Sequence, residues 1–159
     1  SFWLEIDSYQ PSFESISTMI SQTERRNSFS RLSYCKTFSY NQGIQARIEA
    51  KNAGFNDALL LNNQGEICCA TTANILVKRN NNWLTPNSSS GCLPGIMRQR
   101  GIALNIIKET LIEAIPKDGD EWFLINSLSC HPIQKINNQL LKISTNPQEF
   151  WLKLLKAKK

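Results

Sequence analysis

What this chain lacks narrows its function quickly. No apolar run approaches the roughly 20 residues that a bilayer-spanning helix needs, so no membrane partner is expected. The five cysteines, at 35, 68, 69, 92 and 130, include no CxxC pair, which leaves no zinc or thiol-redox motif and no metal ligand set. Such an odd, unpaired set is simplest in a reduced, cytosolic compartment. Histidine occurs once, at His131, where a structural role is the simpler expectation. There is no internal repeat and no low-complexity tract. The net charge of +5 is spread along the chain and clusters only in the tail from Lys153 to Lys159. With no basic–aromatic stripe, nucleic acid is not an expected partner. Scattered positive charge instead suits a site for an anionic cofactor and a small-molecule substrate.

What is present fits one globular core: 159 residues, 41% hydrophobic and 19% charged. The opening Ser1-Phe2-Trp3-Leu4-Glu5-Ile6 lacks an initiator Met and a signal-peptide layout. It reads as a strand entered in mid-protein, so residues 1–159 are expected to be a single domain cut from a longer chain.

Strands are expected over Phe2–Ile6, Ile16–Ile20, Asp57–Asn62, Glu66–Ala70, Asn74–Lys78, Trp83–Thr85 and Glu121–Asn126. Helices are expected over Asn41–Ala53, ended by Gly54, over Gly95–Ile115, and over Gln148–Lys158. Asn63-Gln64-Gly65 and Asn80-Asn81-Asn82 mark turns. Strands joined mostly by hairpins, with helices packed outside, imply an α+β domain built on a mixed, mostly antiparallel sheet. Adjacent Cys68 and Cys69 should point to opposite faces of their strand.

Two loops carry the chemistry. Ala70-Thr71-Thr72-Ala73-Asn74 is a run of small residues, and Leu93-Pro94-Gly95 leads into a helix start at Ile96-Met97-Arg98. Free amides at a helix N-terminus and the helix dipole both favour phosphate. Thr72, Ala73 and Asn74, with the Ile96 and Met97 amides, are therefore candidate phosphate donors. Arg98 and Arg100 could steer anions from an exposed first turn. Two such loops downstream of a lysine suggest a phosphorylated cofactor held by a Schiff-base lysine.

The order Lys36…Asp57-Ala58-Leu59-Leu60-Leu61…Gly65…Ala70-Thr71-Thr72-Ala73-Asn74…Thr85-Pro86…Gly91-Cys92-Leu93-Pro94-Gly95-Ile96-Met97-Arg98-Gln99 resembles the class IV aminotransferase family. These enzymes use pyridoxal 5'-phosphate, and the Cys-Cys pair and Gly-Ile-Met-Arg-Gln are most similar to the aminodeoxychorismate lyase branch. The resemblance implies the large C-terminal, pseudo-barrel domain of such an enzyme, acting as a homodimer. It implies Lys36 as the covalent anchor and proton carrier, with Tyr40 placed to hydrogen-bond the cofactor ring oxygen. The implied reaction converts aminodeoxychorismate to para-aminobenzoate and pyruvate, a step towards folate. The family's aminotransferases acting on branched-chain or D-amino acids are the alternative, and a non-catalytic fold relative is the third.

Cys69 departs from the family pattern, which places a glutamate there to pair with the protonated pyridine nitrogen. A neutral thiol cannot supply that charge, and Glu66, three residues away along a strand, should face the other side. An elimination that creates an aromatic product tolerates a weaker electron sink than transamination does, so Cys69 favours the lyase. Only 35 residues precede Lys36, whereas the family carries a smaller N-terminal domain there, with an arginine that grips the phosphate.

Overall fold

β-Branched Ile16, Thr18 and Ile20 start a strand, but in the computed structural model, which describes residues 3–156, it does not stop at Ile20. Strand β1 runs from Ile16 to Arg26. Its polar second half has no apolar face and is continued along β2, with Arg25 opposite Leu61 and Arg26 opposite Asn62. The expected strand at Phe2–Ile6 is absent over Trp3–Ile6, which is irregular and largely exposed; Phe2 lies outside the described residues.

Helix α1 (Asn41–Asn52) ends where expected, with Gly54 at φ +80° supplying the left-handed residue that follows a helix terminus. Strands β2 (Asp57–Asn62) and β3 (Ile67–Ala70) follow as a hairpin around Gly65. Then come β4 (Asn74–Arg79) and β5 (Asn82–Pro86). Their tip is two residues, Asn80 and Asn81, both at positive φ, which is the turn that matches strand twist and that asparagine tolerates.

The long helix expected over Gly95–Ile115 is replaced by a short helix and a strand: α2 covers Ile96–Ala103 and β6 covers Ile107–Thr110. Two features end the helix. Asn105 turns left-handed at φ +56°, and Ile107 folds back over Gly101, where an added Cβ would lie 2.2 Å from the Ile107 side chain. Strands β7 (Glu121–Ile125), β8 (Cys130–Ile136) and β9 (Gln139–Leu140) precede α3 (Pro147–Lys156).

Among the described residues these nine strands form one sheet in the order β3-β2-β1-β8-β7-β4-β5-β6, with β9 against β8. β1 pairs in parallel with both β2 and β8, and β5 with β6, while the other five pairings are antiparallel. The domain is α+β, a mixed, mostly antiparallel sheet curled into a half-barrel. Leu59, Ile67, Ile75, Val77, Trp122, Leu124 and Ile133, from five strands, meet in one core inside the curl. Helices α2 and α3 cover the outer face, where Trp83 stacks on Phe150 at 4.1 Å and meets Phe123 edge-on at 5.2 Å. Each such ring pair adds about 0.5–1.5 kcal/mol beyond its buried area. Helix α1 packs its Ala46 and Ala50 on Met19, Leu60, Cys68 and Cys69. No described helix is long and apolar enough to cross a membrane.

Candidate active site

A cleft of about 950 Å³ opens where the end of β1, the loop before α1, the turn between β3 and β4, and the start of α2 converge. Lys36, Tyr40, Cys69, Thr72, Ala73, Asn74 and Ile96 all line it. Residues that are far apart in sequence are thus brought to one place. Met97 is the exception, because its side chain is buried in the outer core; only its backbone amide belongs to the helix start.

Lys36 stands in the loop ahead of α1, and its Nζ donates to the Tyr40 hydroxyl at 2.7 Å while lying 5.1 Å from the ring centroid. Tyr40 is the residue from which α1 departs, so the lysine is steadied by the helix end. The small-residue loop is tied on two sides. Thr71 Oγ1 donates to buried Asp57 at 2.6 Å, and Arg47 of α1 clamps the same carboxylate at 2.7 Å and Thr71 Oγ1 at 3.0 Å. Gly43 of α1 lies so close to that loop that an added Cβ would be 2.8 Å from the Thr71 carbonyl oxygen.

The second tie runs through Asn74, which joins the two loops. Its Nδ2 donates to the Leu93 carbonyl at 2.8 Å, and its Oδ1 occupies the space that a Cβ on Gly95 would fill, 2.2 Å away. Gly95 begins α2 without a side-chain cap, so the first-turn amides are not taken by a capping residue. Asn74 therefore acts with its side chain to set the spacing of two amide-rich turns. Sequence reasoning placed it at the site but missed this role, and it missed Arg47 and Asp57 altogether. No local signal gave the latter pair, because ten residues and the end of α1 separate Arg47 from Asp57.

Three other expectations change. Arg98 is fully buried, donating to the Pro86 carbonyl at 2.8 Å and paired with Glu109. It braces the loop that precedes α2 and is not exposed to steer anions. Arg100 holds the end of α3 through the Leu154 and Leu155 carbonyls. Cys68 and Cys69 do not face apart. Leu60 pairs with Cys69 but Leu61 with Ile67, so Cys68 is the extra residue of a β-bulge, and both thiols enter the core under α1. Glu66 is occupied elsewhere, by Asn62 and Ser90. His131 faces the Glu14 carbonyl at 2.8 Å, away from the cleft.

The Cys68 thiol is pushed up by donating to the Cys69 sulfur and by burial. The Cys69 thiol is pulled down, first by that donated hydrogen bond and then, against burial, by the charge of Arg26. Arg26 itself lines the cleft at the end of β1. No described cluster of three or more His, Cys, Asp or Glu side chains is placed to hold a metal ion.

The same fold recurs in known proteins. A protein of Synechocystis sp. provisionally named a branched-chain-amino-acid aminotransferase is 33% identical over 107 residues, 63% of this chain and 35% of its own length. A Legionella pneumophila structure provisionally named a 4-amino-4-deoxychorismate lyase superposes with a TM-score of 0.82 at 24% identity, over 94% of this chain and 58% of that one. The branched-chain aminotransferase of Thermobaculum terrenum, crystallised in its PLP form, superposes with a TM-score of 0.76 at 23% identity, over 88% of this chain and 48% of that one. The chain thus spans about a third of the curated relative and about half of the solved structures. A family model described as amino-transferase class IV matches residues 1–136. On that match, and on the fold that carries it, the chain belongs to the amino-transferase class IV family.

Proposed function

We propose that this chain holds the cofactor of a pyridoxal phosphate-dependent lyase that releases pyruvate from aminodeoxychorismate and leaves para-aminobenzoate. The observation that carries the reading is the Lys36–Tyr40 pair, 2.7 Å apart in the cleft that the two amide-rich turns enter. The donor set suits a phosphorylated aldehyde. Lys36 supplies an amine, Tyr40 a phenol, and Thr72, Ala73, Ile96 and Met97 lie on backbone turns that Asn74 holds at fixed spacing. When bound, pyridoxal phosphate supplies the electron sink that acidifies the carbon beside the substrate amine.

The chain's own residues do the rest. Lys36 Nζ would hold the cofactor and, once freed by the substrate amine, would accept the proton from the substrate carbon beside that amine. Tyr40 Oη receives the lysine's hydrogen bond and keeps the amine near the helix end. The turn amides would hold the phosphate, and so would orient the reacting carbon towards Lys36. Leu32, Leu93 and Leu128 place apolar side chains along the cleft.

The lyase branch is favoured by Gly-Ile-Met-Arg-Gln at residues 95–99 and by the Cys-Cys pair. A second reading, an aminotransferase acting on branched-chain amino acids, is favoured by the provisional name of the Synechocystis relative. A homodimer and a cytosolic location belong to the same proposal. The test is the absorbance of the protein with pyridoxal phosphate before and after borohydride, followed by peptide mapping. A visible band and a reduced label on Lys36 support the anchor; labelling elsewhere or no band overturns it. Lys36→Ala should remove nearly all turnover, since acid–base help of this kind is worth about 10²–10⁴-fold, and residual activity of a few per cent refutes the role. Pyruvate release marks the lyase, whereas formation of a keto acid from the amino donor marks the aminotransferase.

A further inference from the structure

We propose that Arg47 and Asp57 are positioning residues: they hold the turn between β3 and β4 for a phosphate and, through α1, set its distance from Lys36. The proposal rests on the pyridoxal phosphate reading above. Neither residue lines the cleft, so each acts on it through the turn. Tyr40, Gly43 and Arg47 recur at three- and four-residue intervals, which puts them on one face of α1. Tyr40 takes the Lys36 hydrogen bond at the start of the helix. One turn on, Gly43 abuts the Thr71 carbonyl, and after one more Arg47 reaches the hydroxyls of Thr71 and Thr72.

The contacts close a ring around one hydroxyl. Thr71 Oγ1 donates to Asp57 Oδ1 at 2.6 Å and accepts from Arg47 Nε at 3.0 Å. Arg47 Nη2 donates to Asp57 Oδ2 at 2.7 Å and to Thr72 Oγ1 at 3.4 Å. The Ala58 amide donates to Asp57 Oδ1 at 2.8 Å, which fixes the carboxylate on β2. Asp57 is 5% and Thr71 7% exposed, so the ring is closed to water on the side of the sheet. A planar guanidinium donating through two nitrogens fixes direction as well as distance, which a single flexible ammonium does not. A hydroxyl has one proton, and that of Thr71 goes to Asp57. Thr71 therefore frames the turn and does not donate to a ligand.

The consequence is a fixed span across the cleft. Seven residues of helix, about 10 Å, separate Tyr40 from Arg47, so the lysine end and the turn are joined by one rigid element. A ligand with an aldehyde at one end and a phosphate at the other uses both ends of that span. An aldehyde without the phosphate uses only Lys36. Loosening the ring should weaken the first ligand and spare the second, whereas general damage to the fold weakens both.

The test is equilibrium dialysis of the full chain against pyridoxal phosphate and against pyridoxal, read as the ratio of the two dissociation constants. The unaltered chain should prefer the phosphorylated aldehyde. Arg47→Met and Thr71→Val should each cut that preference by roughly tenfold, the low end of the 10–100-fold that supporting partners are worth at metal sites. Their affinity for pyridoxal should stay nearly constant, and Thr71→Ser, which keeps the hydroxyl, should keep the preference. Arg47→Met also leaves Asp57 a buried carboxylate without its cation, which costs stability. Adding Asp57→Asn removes that charge without rebuilding the ring, so urea unfolding should recover while the ratio stays low. A ratio that recovers with stability, an equal loss for both aldehydes, or an unchanged ratio in variants that circular dichroism shows to be folded overturns the positioning role and leaves the cofactor reading standing. An unaltered chain that binds the two aldehydes equally, or binds neither, refutes the cofactor reading and the positioning role with it.

Discussion

Asn74 and Gly95 should behave as one unit under mutation. Gly95 has φ −65° and ψ 147°, values any residue adopts, so alanine there costs nothing in backbone strain. The cost comes from contact: the new Cβ would lie 2.2 Å from Asn74 Oδ1, and the asparagine must leave. Its departure breaks the 2.8 Å bond to the Leu93 carbonyl. Asn74 is 6% exposed, and the Leu93 carbonyl keeps the Gly95 amide as a donor at 2.8 Å, so the loss is that of one hydrogen bond, about 0.5–1.5 kcal/mol. Asn74→Ala loses the same bond. In the double variant nothing remains for the Gly95→Ala methyl to displace, so the pair should cost about as much as Asn74→Ala alone. The coupling energy then equals the Gly95→Ala loss, roughly 0.5–1.5 kcal/mol, at the size seen for residues in direct contact. Urea unfolding of the four proteins measures it, and cofactor affinity should follow the same pattern because the bond sets the spacing of both turns. Additive losses, with each variant costing its full amount in the other's background, would refute the idea that Gly95 is required by Asn74.

Gly43→Ala should be costlier than Gly95→Ala, because its Cβ would stand 2.8 Å from a backbone oxygen of Thr71 that cannot rotate away. A loss of about 1–3 kcal/mol in urea unfolding, with weakened cofactor binding, is expected. Arg98→Ala should lower stability by roughly 3 kcal/mol, leaving the Pro86 carbonyl and Glu109 without their buried partner. Arg98→Met should recover much of that in thermal unfolding, since two of the arginine's nitrogens make no hydrogen bond. Burial raises the Glu121 carboxyl, but hydrogen bonds from Ser144, Thr145 and Lys78 outweigh it and hold the group at about 2. A folded value below the unfolded one gives stability that is complete above about pH 4.5 and is lost as pH falls towards 2. Glu121→Gln should therefore lower the melting temperature at pH 6 and flatten its decline between pH 5 and 2; an unchanged slope refutes the assignment.

The hairpins were legible because their signals are local. Gly65, the Asn80-Asn81 pair and Gly54 each require a left-handed residue where the chain reverses or a helix stops, and each has it. The cleft was legible as a set of loops for a similar reason: small residues and a proline before a helix start are visible in any window. What failed depends on distant pairing. The second half of β1 is polar, so no pattern within it reveals a strand; its partner is β2, more than thirty residues later. Arg26 went unnoticed with it. Gly95–Ile115 carries a helical stripe, but Gly101 and Asn105 mark where packing against Ile107 ends the helix. The bulge at Cys68 exists only in relation to β2, which is why two thiols expected to part are neighbours.

The place of β1 in the sheet has a consequence for how the chain acquires its structure. Ile16 pairs with Ile133 and Thr18 with Ile136, partners more than a hundred residues later, while the adjoining β2 edge is available early. Such a parallel contact closes a very long loop before it is rewarded. On the ribosome, the first strand must wait with one edge bare until β8 has emerged. Folding should accordingly be slow and limited by that closure, and the period of greatest aggregation risk is the interval in which β2 to β7 are assembled and β1 still lacks its second neighbour.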